Sequence, residues 1–244
     1  MIEGSAGRRA TGDVPAAVAD GAWARVHASV AGLPVEELRV RMSQAGQISG
    51  LVLGQVAALA AGRRVRVQAA GLDYGSAIDA LCRRLRVRVA YAAAGFPPRP
   101  WPENDGAPHP PGAPRDPRGA GHLVRVKRCV LVWSEIDAAA ATLDAMDYQA
   151  HLFTDPDTGA DAVIYRAGPT GYRVTRLAPG APPRPVRVPL VLDVQPVSVL
   201  TREQALARLD QGELPHLFFD ERESGRGSLL YRRFDGHYAL VRGV

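Results

Sequence analysis

The stretch Tyr231-Arg-Arg-Phe-Asp-Gly-His-Tyr-Ala-Leu-Val241 is the part of the sequence from which the fold is inferred. Asp235-Gly236 stands between two segments rich in aromatic and aliphatic residues. Asp-Gly is a favoured two-residue turn because both central positions of a type I′ turn need a positive φ. The pattern therefore predicts a β-hairpin, with Tyr231 on one strand and Tyr238 on the next.

The same order of residues occurs earlier in the chain. Val163-Ile-Tyr-Arg166 followed by Gly171-Tyr172 repeats it, so that Tyr165 lies 66 positions before Tyr231. Around each tyrosine the sequence indicates a strand, a helix and then three strands. Ser134 and Thr201 are predicted to cap the two helices at their N-termini. We therefore predict two tandem β-α-β-β-β domains, a first repeat at residues 121–178 and a second repeat at residues 189–244.

The N-terminal third, residues 1–91, has the pattern of a small α/β domain. Apolar residues at helical spacing predict a helix from Pro15 to Ala31, and alternating residues then predict three strands near 38–42, 51–59 and 65–69. A second helix is predicted to begin after Asp73 and to run through residue 89. Alternation over 84–89 alone favours a strand, but apolar spacing of three and four in the longer window favours the helix. No convincing strand precedes the first helix, and the fold class of the whole chain is predicted to be α+β.

Two proline-rich segments separate these predicted domains. Residues 92–120 hold nine of the 20 prolines and almost no aliphatic side chains, and residues 179–188 form a second, shorter proline-rich hinge. Such segments bury too little surface to offset the entropy of ordering them, and proline keeps them extended. We therefore predict a linker and a hinge.

Positive charge is concentrated in the N-terminal third. Residues 1–91 hold 12 arginines against 7 acidic residues, whereas residues 92–120, 121–180 and 181–244 carry net charges of 0, −1 and +1. A guanidinium group pairs well with phosphate, which predicts a polyanionic partner for this domain, in competition with an ordinary solvated surface. The candidate RNA-binding residues are Arg39, Arg41, Arg63, Arg64, Arg66, Arg83, Arg84, Arg86 and Arg88.

Metal, cofactor and disulfide chemistry find little support in the sequence. His151 and His216 each precede Leu-Phe, but none of the six histidines is spaced like a zinc ligand, which favours histidines at the edge of a core. Cys82 and Cys129 cannot form a disulfide framework and are predicted to be packed side chains. We therefore expect no metal and no cofactor.

Catalysis and membrane insertion are also not expected. The acidic pairs Asp155/Asp157 and Asp220/Glu221 lack an accompanying nucleophile, which favours solvated turns over general acid–base groups. No apolar stretch is long enough to span a bilayer, and the N-terminus lacks the apolar core of a signal peptide. The protein is expected to be a cytoplasmic non-enzyme with no membrane or DNA partner.

The two repeats resemble the C-terminal domain of long-form ribosome hibernation promoting factors. That domain has a basic strand, a capped helix, a His-Asp-Phe-Phe-like strand and an ending Tyr-Arg-Arg-x-Asp-Gly-x-Tyr-x-Leu. The first repeat departs from it at Ala167–Thr170, where the Asp-Gly turn is lost. The matching residues are Thr201, Glu203-Gln204-Ala205, His216–Phe219 and Tyr231–Leu240 in the second repeat, and Val126–Arg128, His151–Phe153, Asp157–Gly159 and Tyr165-Arg166 in the first.

The N-terminal third resembles the ribosome-binding domain of the same family, whose fold is β-α-β-β-β-α. Gly62–Ala69 matches its last strand and Asp73–Asp79 matches the start of its last helix. The resemblance implies binding to the 16S-type rRNA of the small ribosomal subunit, in the channel used by mRNA and tRNA. It also implies inhibition of translation by occlusion, which stabilises idle ribosomes under stress or dormancy. The alternative is a stress-related protein-interaction module that no longer binds rRNA.

The resemblance also implies a role for the repeats. In the family this domain usually occurs once and pairs between two chains, so that two ribosomes are joined. Because this chain holds two copies, we predict that they pair within one polypeptide, with a homodimer as the alternative. The tyrosines of the repeats are predicted to pack within the sheets or in this interface rather than to stack on RNA bases. The candidate pairing residues are Phe153, Tyr165, Phe218, Tyr231 and Tyr238.

Overall fold

The computed structural model describes residues 14–44, 50–97, 121–167, 171–180, 184–212 and 215–244. These residues form two compact units. The N-terminal unit contains the described residues up to Pro97 together with Asp144–Asp147, and the C-terminal unit contains the rest. Among the described residues, no helix combines the length and apolarity needed to cross a membrane.

The N-terminal unit is an antiparallel sheet with two helices. Its strands pair in the order β1-β2-β3, and both helices share one hydrophobic core with the sheet. A strand before the first helix would lie among residues 1–13, outside the described residues. The elements are α1 (Ala16–Ser29), β1 (Val35–Gln44), β2 (Val52–Ala60), β3 (Arg63–Gly71) and α2 (Tyr74–Ala93).

Alternation along the strands decides which face of this sheet is covered. Leu38 pairs with Ala58 and Ala58 pairs with Val65, and all three are buried in the core beneath the helices. The helix predicted after Asp73 is confirmed. Its first turn is a capping box, in which the Asp73 carboxylate accepts from the Ser76 N–H at 2.8 Å.

Two glycines allow α2 to approach the sheet closely. A Cβ on Gly54 would overlap Leu81 Cδ1 in the middle of the core. A Cβ on Gly71 would lie 2.5 Å from the Ala77 backbone nitrogen, at the point where the chain turns from β3 into α2. The second approach is the more restrictive, because a backbone atom cannot rotate away as a side chain can.

The C-terminal unit contains both repeats and two sheets, which confirms the predicted α+β class. The five-stranded sheet has the order β4-β12-β11-β10-β9, and the four-stranded sheet has the order β5-β6-β7-β8. The elements of the first repeat are β4 (Leu123–Cys129), α3 (Ile136–Ala145), β5 (Ala150–Asp155), β6 (Ala160–Ala167) and β7 (Gly171–Arg176). Those of the second are β8 (Leu190–Asp193), β9 (Val199–Leu200), α4 (Arg202–Gln211), β10 (His216–Glu221), β11 (Arg226–Arg232) and β12 (Tyr238–Gly243).

The two repeats exchange their first strands. β4 of the first repeat pairs in parallel with β12 of the second, and β8 of the second pairs in parallel with β7 of the first. The register is the same in both places, since Ala239 pairs with Arg125 and Arg173 pairs with Val191, each residue shifted by 66 positions. The two repeats are therefore related by an approximate twofold symmetry within one chain.

The central strands of each sheet in the C-terminal unit are buried on both faces, whereas β4 at the edge of the five-stranded sheet is largely exposed. One face packs under the repeat's own helix, where Phe153 lies with Leu143 and Phe219 lies with Leu209. The opposite faces of the two sheets pack against each other through a mixed cluster that includes Leu152, Val163 and Leu229. Neighbouring residues such as Leu152 and Phe153 point to opposite faces because the side-chain period of a strand is two.

The predicted hairpin of the second repeat is present, but its predicted turn is wrong. β11 and β12 are antiparallel, and Arg232 pairs with Tyr238, which leaves five residues in the loop. Gly236 has a φ of 80°, whereas Asp235 is not in the left-handed region that a type I′ turn requires. The Asp235 carboxylate instead accepts from the Arg233 guanidinium at 2.6 Å and from the His237 N–H at 3.1 Å, so a side chain fixes the turn.

Only one of the two predicted caps in the repeats is present as predicted. Thr201 caps α4, where its side chain accepts from the Gln204 N–H at 3.3 Å. The prediction for Ser134 is wrong by one position, because Glu135 directly precedes α3 and the Ser134 hydroxyl donates to the Glu135 carbonyl.

We expect the Gly71→Ala variant to lower the free energy of unfolding by about 1–3 kcal/mol, because the added Cβ meets backbone. The measurement is urea denaturation followed by circular dichroism. Gly21→Ala is the matched control, since a Cβ on Gly21 meets no atom within 4 Å. Alanine is the better helix former, so this control should be neutral or more stable by about 0.5–1 kcal/mol. Equal stability of Gly71→Ala and the unaltered protein would contradict the close approach.

Candidate functional site

Four of the candidate arginines share the open face of the N-terminal sheet. Arg39 on β1 pairs with Ala57 on β2, and Ala57 pairs with Arg66 on β3. Arg41 and Arg64 occupy the same face, since each alternates with buried core residues. The arginines on β1 and β3 therefore form two rows about 10 Å apart, which is two strand spacings, on either side of the uncharged residues of β2.

The exposure of these side chains differs. Arg39, Arg41 and Arg64 are exposed. Arg63, at the turn into β3, is also exposed, and its guanidinium carbon lies 5.6 Å from the centroid of the Phe96 ring. Arg66 is half-buried and donates from Nε to the Met146 carbonyl at 3.2 Å. Four exposed cations thus remain on and beside this face.

The structure corrects the expected exposure of Arg84 and Arg88. They are only 7% and 2% exposed, and both donate to Asp147 Oδ1, at 2.5 and 3.0 Å. Burial by itself raises the pKa of Asp147, but the charges of the two arginines and the Gln68 N–H outweigh it and hold that pKa below its usual value. Arg84 and Arg88 are three and seven positions after the buried Leu81, so they lie on the same face of the helix. This spacing is the feature of the sequence that indicates their burial.

The remaining candidates, Arg83 and Arg86, are exposed on α2. This helix packs against the core side of the sheet through Leu81 and Leu85, which is the side opposite to Arg39 and Arg41. The nine predicted residues therefore do not form one surface. The sheet presents one cluster of cations, the exposed side of α2 presents a smaller one, and two arginines belong to a buried ion-pair network.

The five predicted pairing residues are also divided. Tyr165 and Phe218 border the cluster between the two sheets, and the Tyr165 ring meets the His216 ring edge-on at 4.9 Å. Tyr231 is half-buried and shares the strand face of Leu229. The expectation is corrected for Phe153, which is 0% exposed in the core under α3 and does not line the cluster between the sheets. Tyr238 is 1% exposed in the core under α4, but it does contact the other repeat, because it pairs with Leu123 and donates from its N–H to the His122 carbonyl at 2.9 Å.

An offset of one residue explains the error for Phe153. The two His-Leu-Phe segments match each other in letters, but strand pairing places Ala150 opposite Tyr165 and His216 opposite Tyr231. The equivalent of Phe218 is therefore Leu152, which lies in the cluster between the sheets. Counting back 66 positions from Phe218 would have identified Leu152, which sequence reasoning missed together with Val163 and Leu229.

Buried ion pairs occur at equivalent positions in both repeats. Asp155 accepts from Arg176 at 2.6 Å, and Glu221 accepts from Arg242 at 2.8 Å, each residue again shifted by 66 positions. Asp155 and Glu221 are 1% and 0% exposed, so the expectation that they are solvated is wrong. Burial by itself raises the pKa of Glu221, but hydrogen bonds from Arg202 and Ser224 and the Arg242 charge hold it below its usual value.

His151 and His216 lie inside the C-terminal unit. Burial lowers the pKa of each to about 4, so both are neutral near pH 7. His216 Nδ1 has no hydrogen-bond partner among the described residues. Within the described ranges, no group of three or more His, Cys, Asp and Glu side chains is arranged to hold a metal ion.

Comparison with known proteins places the chain in a family. The profile described as "Sigma 54 modulation/S30EA ribosomal protein C terminus" matches residues 119–174, which cover most of the first repeat. Two proteins named "Dormancy associated translation inhibitor", from Mycobacterium tuberculosis strains CDC 1551 / Oshkosh and ATCC 25618 / H37Rv, are each 37% identical over 215 residues. The alignment covers 83% of this chain and 75% of theirs. The chain belongs to the long-form ribosome hibernation promoting factor family. The match to the family's C-terminal domain lies in the first repeat, and the second repeat shares the strand register of the first.

Acidification should destabilise this family member through its half-buried histidines His151 and His216. The folded pKa of His216 is about 4 and the ordinary value is 6.5, so the unfolded chain binds the proton more readily. The stabilising contribution is therefore complete above about pH 6.5 and is lost as the pH falls towards 4, on the order of 2 kcal/mol for each histidine.

The measurement is the free energy of unfolding in urea at about pH 7.5 and about pH 5. We expect His216→Gln to lose less stability between these pH values than the unaltered protein. His27→Gln, at an exposed position of α1, is the control and should follow the unaltered protein. The same pH dependence in both variants would rule out His216 as its source.

Proposed function

We propose that the protein binds the small ribosomal subunit, occupies the channel used by mRNA and tRNA, and inhibits translation by occlusion. The observation that carries the proposal is the open face of the N-terminal sheet, which presents Arg39, Arg41 and Arg64 beside the exposed Arg63. The names of the mycobacterial relatives support translation inhibition, and family membership supports the ribosome as the target.

Physical chemistry favours structured RNA as the ligand of this face. Protein contacts to folded RNA are made largely to phosphates and sugars, and guanidinium groups pair with phosphate in a fork geometry. Two rows of arginine on a rigid sheet hold these groups at a fixed spacing, so little entropy is lost on binding. No bond is made or broken in such a complex, and we propose that the protein acts in the cytoplasm as a non-enzyme.

We further propose that the two repeats pair with each other inside one chain, so that the protein inactivates single ribosomes. This is supported by the exchange of β4 and β8, because each sheet is completed by a strand from the other repeat. The apolar cluster between the sheets, with Val163 0% exposed and Leu229 4% exposed, supports it as well. A paired face that is already covered cannot join a second chain.

Charge reversal on the sheet face should strongly weaken ribosome binding. We expect a variant with four replacements to co-sediment with ribosomes roughly 100-fold more weakly at moderate salt. The dependence of the logarithm of the association constant on the logarithm of the salt concentration should become less steep, by roughly 0.7–0.9 for each phosphate that the protein no longer neutralises. The replacements are Arg39→Glu, Arg41→Glu, Arg63→Glu and Arg64→Glu.

Two controls make this result specific. Arginine-to-lysine replacement at the same four positions keeps the charge but loses the fork geometry, so it should weaken binding much less than replacement by glutamate. Arg83→Glu with Arg86→Glu alters only the exposed side of α2 and should weaken binding less. Unchanged co-sedimentation of the four-glutamate variant would refute the proposed interface and favour a protein-interaction module that no longer binds rRNA.

Pairing within one chain predicts the mass of the protein and of its ribosome complex. Light scattering should give the mass of a single 26.1 kDa chain, because the pairing faces are satisfied internally. Sucrose gradients of bound ribosomes should show single particles. A stable dimer in solution together with a peak of paired ribosomes would refute pairing within the chain.

A further inference from the structure

The approximate twofold symmetry fails at one place where the repeats meet. Asp161 on β6 and Gly227 on β11 occupy equivalent positions, 66 residues apart, and they touch each other. The Gly227 N–H donates to Asp161 Oδ2 at 2.8 Å. Two equivalent positions can touch only close to the symmetry axis. In a pair of two identical repeats, the same residue of each repeat would therefore meet at this point.

The two repeats place complementary chemistry at this point. Arg226 donates from Nε to Asp161 Oδ2 at 2.8 Å and from Nη2 to Oδ1 at 3.1 Å, a two-point interaction with a carboxylate that is 3% exposed. These hydrogen bonds raise the pKa of Arg226. The residue equivalent to Arg226 in the first repeat is Ala160, which has no charge. We call Asp161, Arg226 and Gly227 the axial contact.

The side chains of the two repeats are complementary in volume as well as in charge at this point. A Cβ on Gly227 would lie 2.7 Å from Asp161 Cβ, so a side chain cannot occupy both equivalent positions without a shift. A Cβ on Gly243 would lie 2.8 Å from Arg226 Nη2, so this glycine makes room for the guanidinium. The first repeat carries Leu177 at the position of Gly243, next to the small Ala160.

Symmetric pairs would lack this complementarity. Two first repeats would bring two Asp161 carboxylates together near the axis, with alanine in place of Arg226. Two second repeats would place glycine against glycine and leave two guanidinium groups without the Asp161 acceptor. Juxtaposed like charges at an interface suppress wrong partners.

From this asymmetry we infer that the axial contact makes pairing selective, so that a first repeat pairs with a second repeat and not with another first repeat. The inference rests on the proposed pairing of the repeats within one chain and names what specifies it. The partner that this surface fits is the complementary repeat, and single-copy domains lacking the axial contact are poor partners. In the axial contact, the first repeat supplies the carboxylate, and the second repeat supplies the guanidinium and the glycine that leaves space for the carboxylate.

The symmetry allows an exchange experiment in the full chain. Exchanging the residues of the axial contact, together with Leu177 and Gly243, between equivalent positions moves the carboxylate to the second repeat and the guanidinium to the first. A first-like chain carries the replacements in the second repeat only, a second-like chain carries those in the first repeat only, and a fully exchanged chain carries all six. The replacements are Ala160→Arg, Asp161→Gly and Leu177→Gly in the first repeat, and Arg226→Ala, Gly227→Asp and Gly243→Leu in the second.

The fully exchanged chain should remain monomeric, with a Tm close to that of the unaltered protein. Each half-exchanged chain should have a lower Tm, because its repeats are mismatched. An equimolar mixture of the two half-exchanged chains should form a 1:1 dimer with the Tm restored. Two matched pairs are expected to be favoured by roughly 10⁴-fold over mismatched ones. This exceeds the roughly 10³-fold cost of replacing a millimolar effective concentration by a micromolar protein concentration.

The inference fails if the half-exchanged chains are as stable and as monomeric as the unaltered protein, or if their mixture does not associate. If a half-exchanged chain does not fold alone, the two are refolded separately and together from urea. Recovery of a 1:1 dimer only in the mixture supports selectivity, and no recovery overturns it. The mass of the unaltered protein tests pairing within the chain, whereas the comparison among variants tests the axial contact, so that either can fail alone.

Discussion

The parallel pairing of β4 with β12, and of β8 with β7, is the constraint on which the C-terminal unit depends. Neither repeat has a complete sheet of its own, because the first strand of each lies beside the last strand of the other. Separating the repeats would expose two strand edges, with their unpaired backbone groups, and the apolar cluster between the sheets. Exposure of unpaired strand edges and of apolar surface to water is unfavourable. The two repeats are therefore expected to unfold as one cooperative unit.

The two repeats are alike at some buried positions and differ at others. Buried ion pairs such as Asp155–Arg176 and Glu221–Arg242 keep the same role in both copies, since each lies within one half. Asp161 and Gly227 differ because they meet at the axis, where one copy must supply the acceptor and the other the donors. Interactions within a half tolerate identical copies, whereas an interaction on the axis is improved when the copies become different.

In the N-terminal unit, the core decides which arginines are available to a ligand. Strand alternation leaves Arg39, Arg41 and Arg64 on the open face, while the helical period turns Arg84 and Arg88 towards buried surroundings where Asp147 neutralises them. The same residue type thus serves two purposes in one small unit. The partition follows from the two backbone periods, and composition alone does not reveal it.

Local patterns in the sequence determined most of the elements and the repeat. The Asp73 and Thr201 caps and the alternation of β1 and β3 are short-range features, since each depends on neighbours along the chain. The 66-residue offset is a match between two stretches of sequence, which can be found without knowing their contacts. Tertiary structure alone decided the strand exchange, the pairing of Arg84 and Arg88 with Asp147, and the meeting of Asp161 with Arg226. These features depend on residues distant in sequence. A periodic pattern specifies which face of a helix or strand is buried, but it does not specify the partner that covers this face.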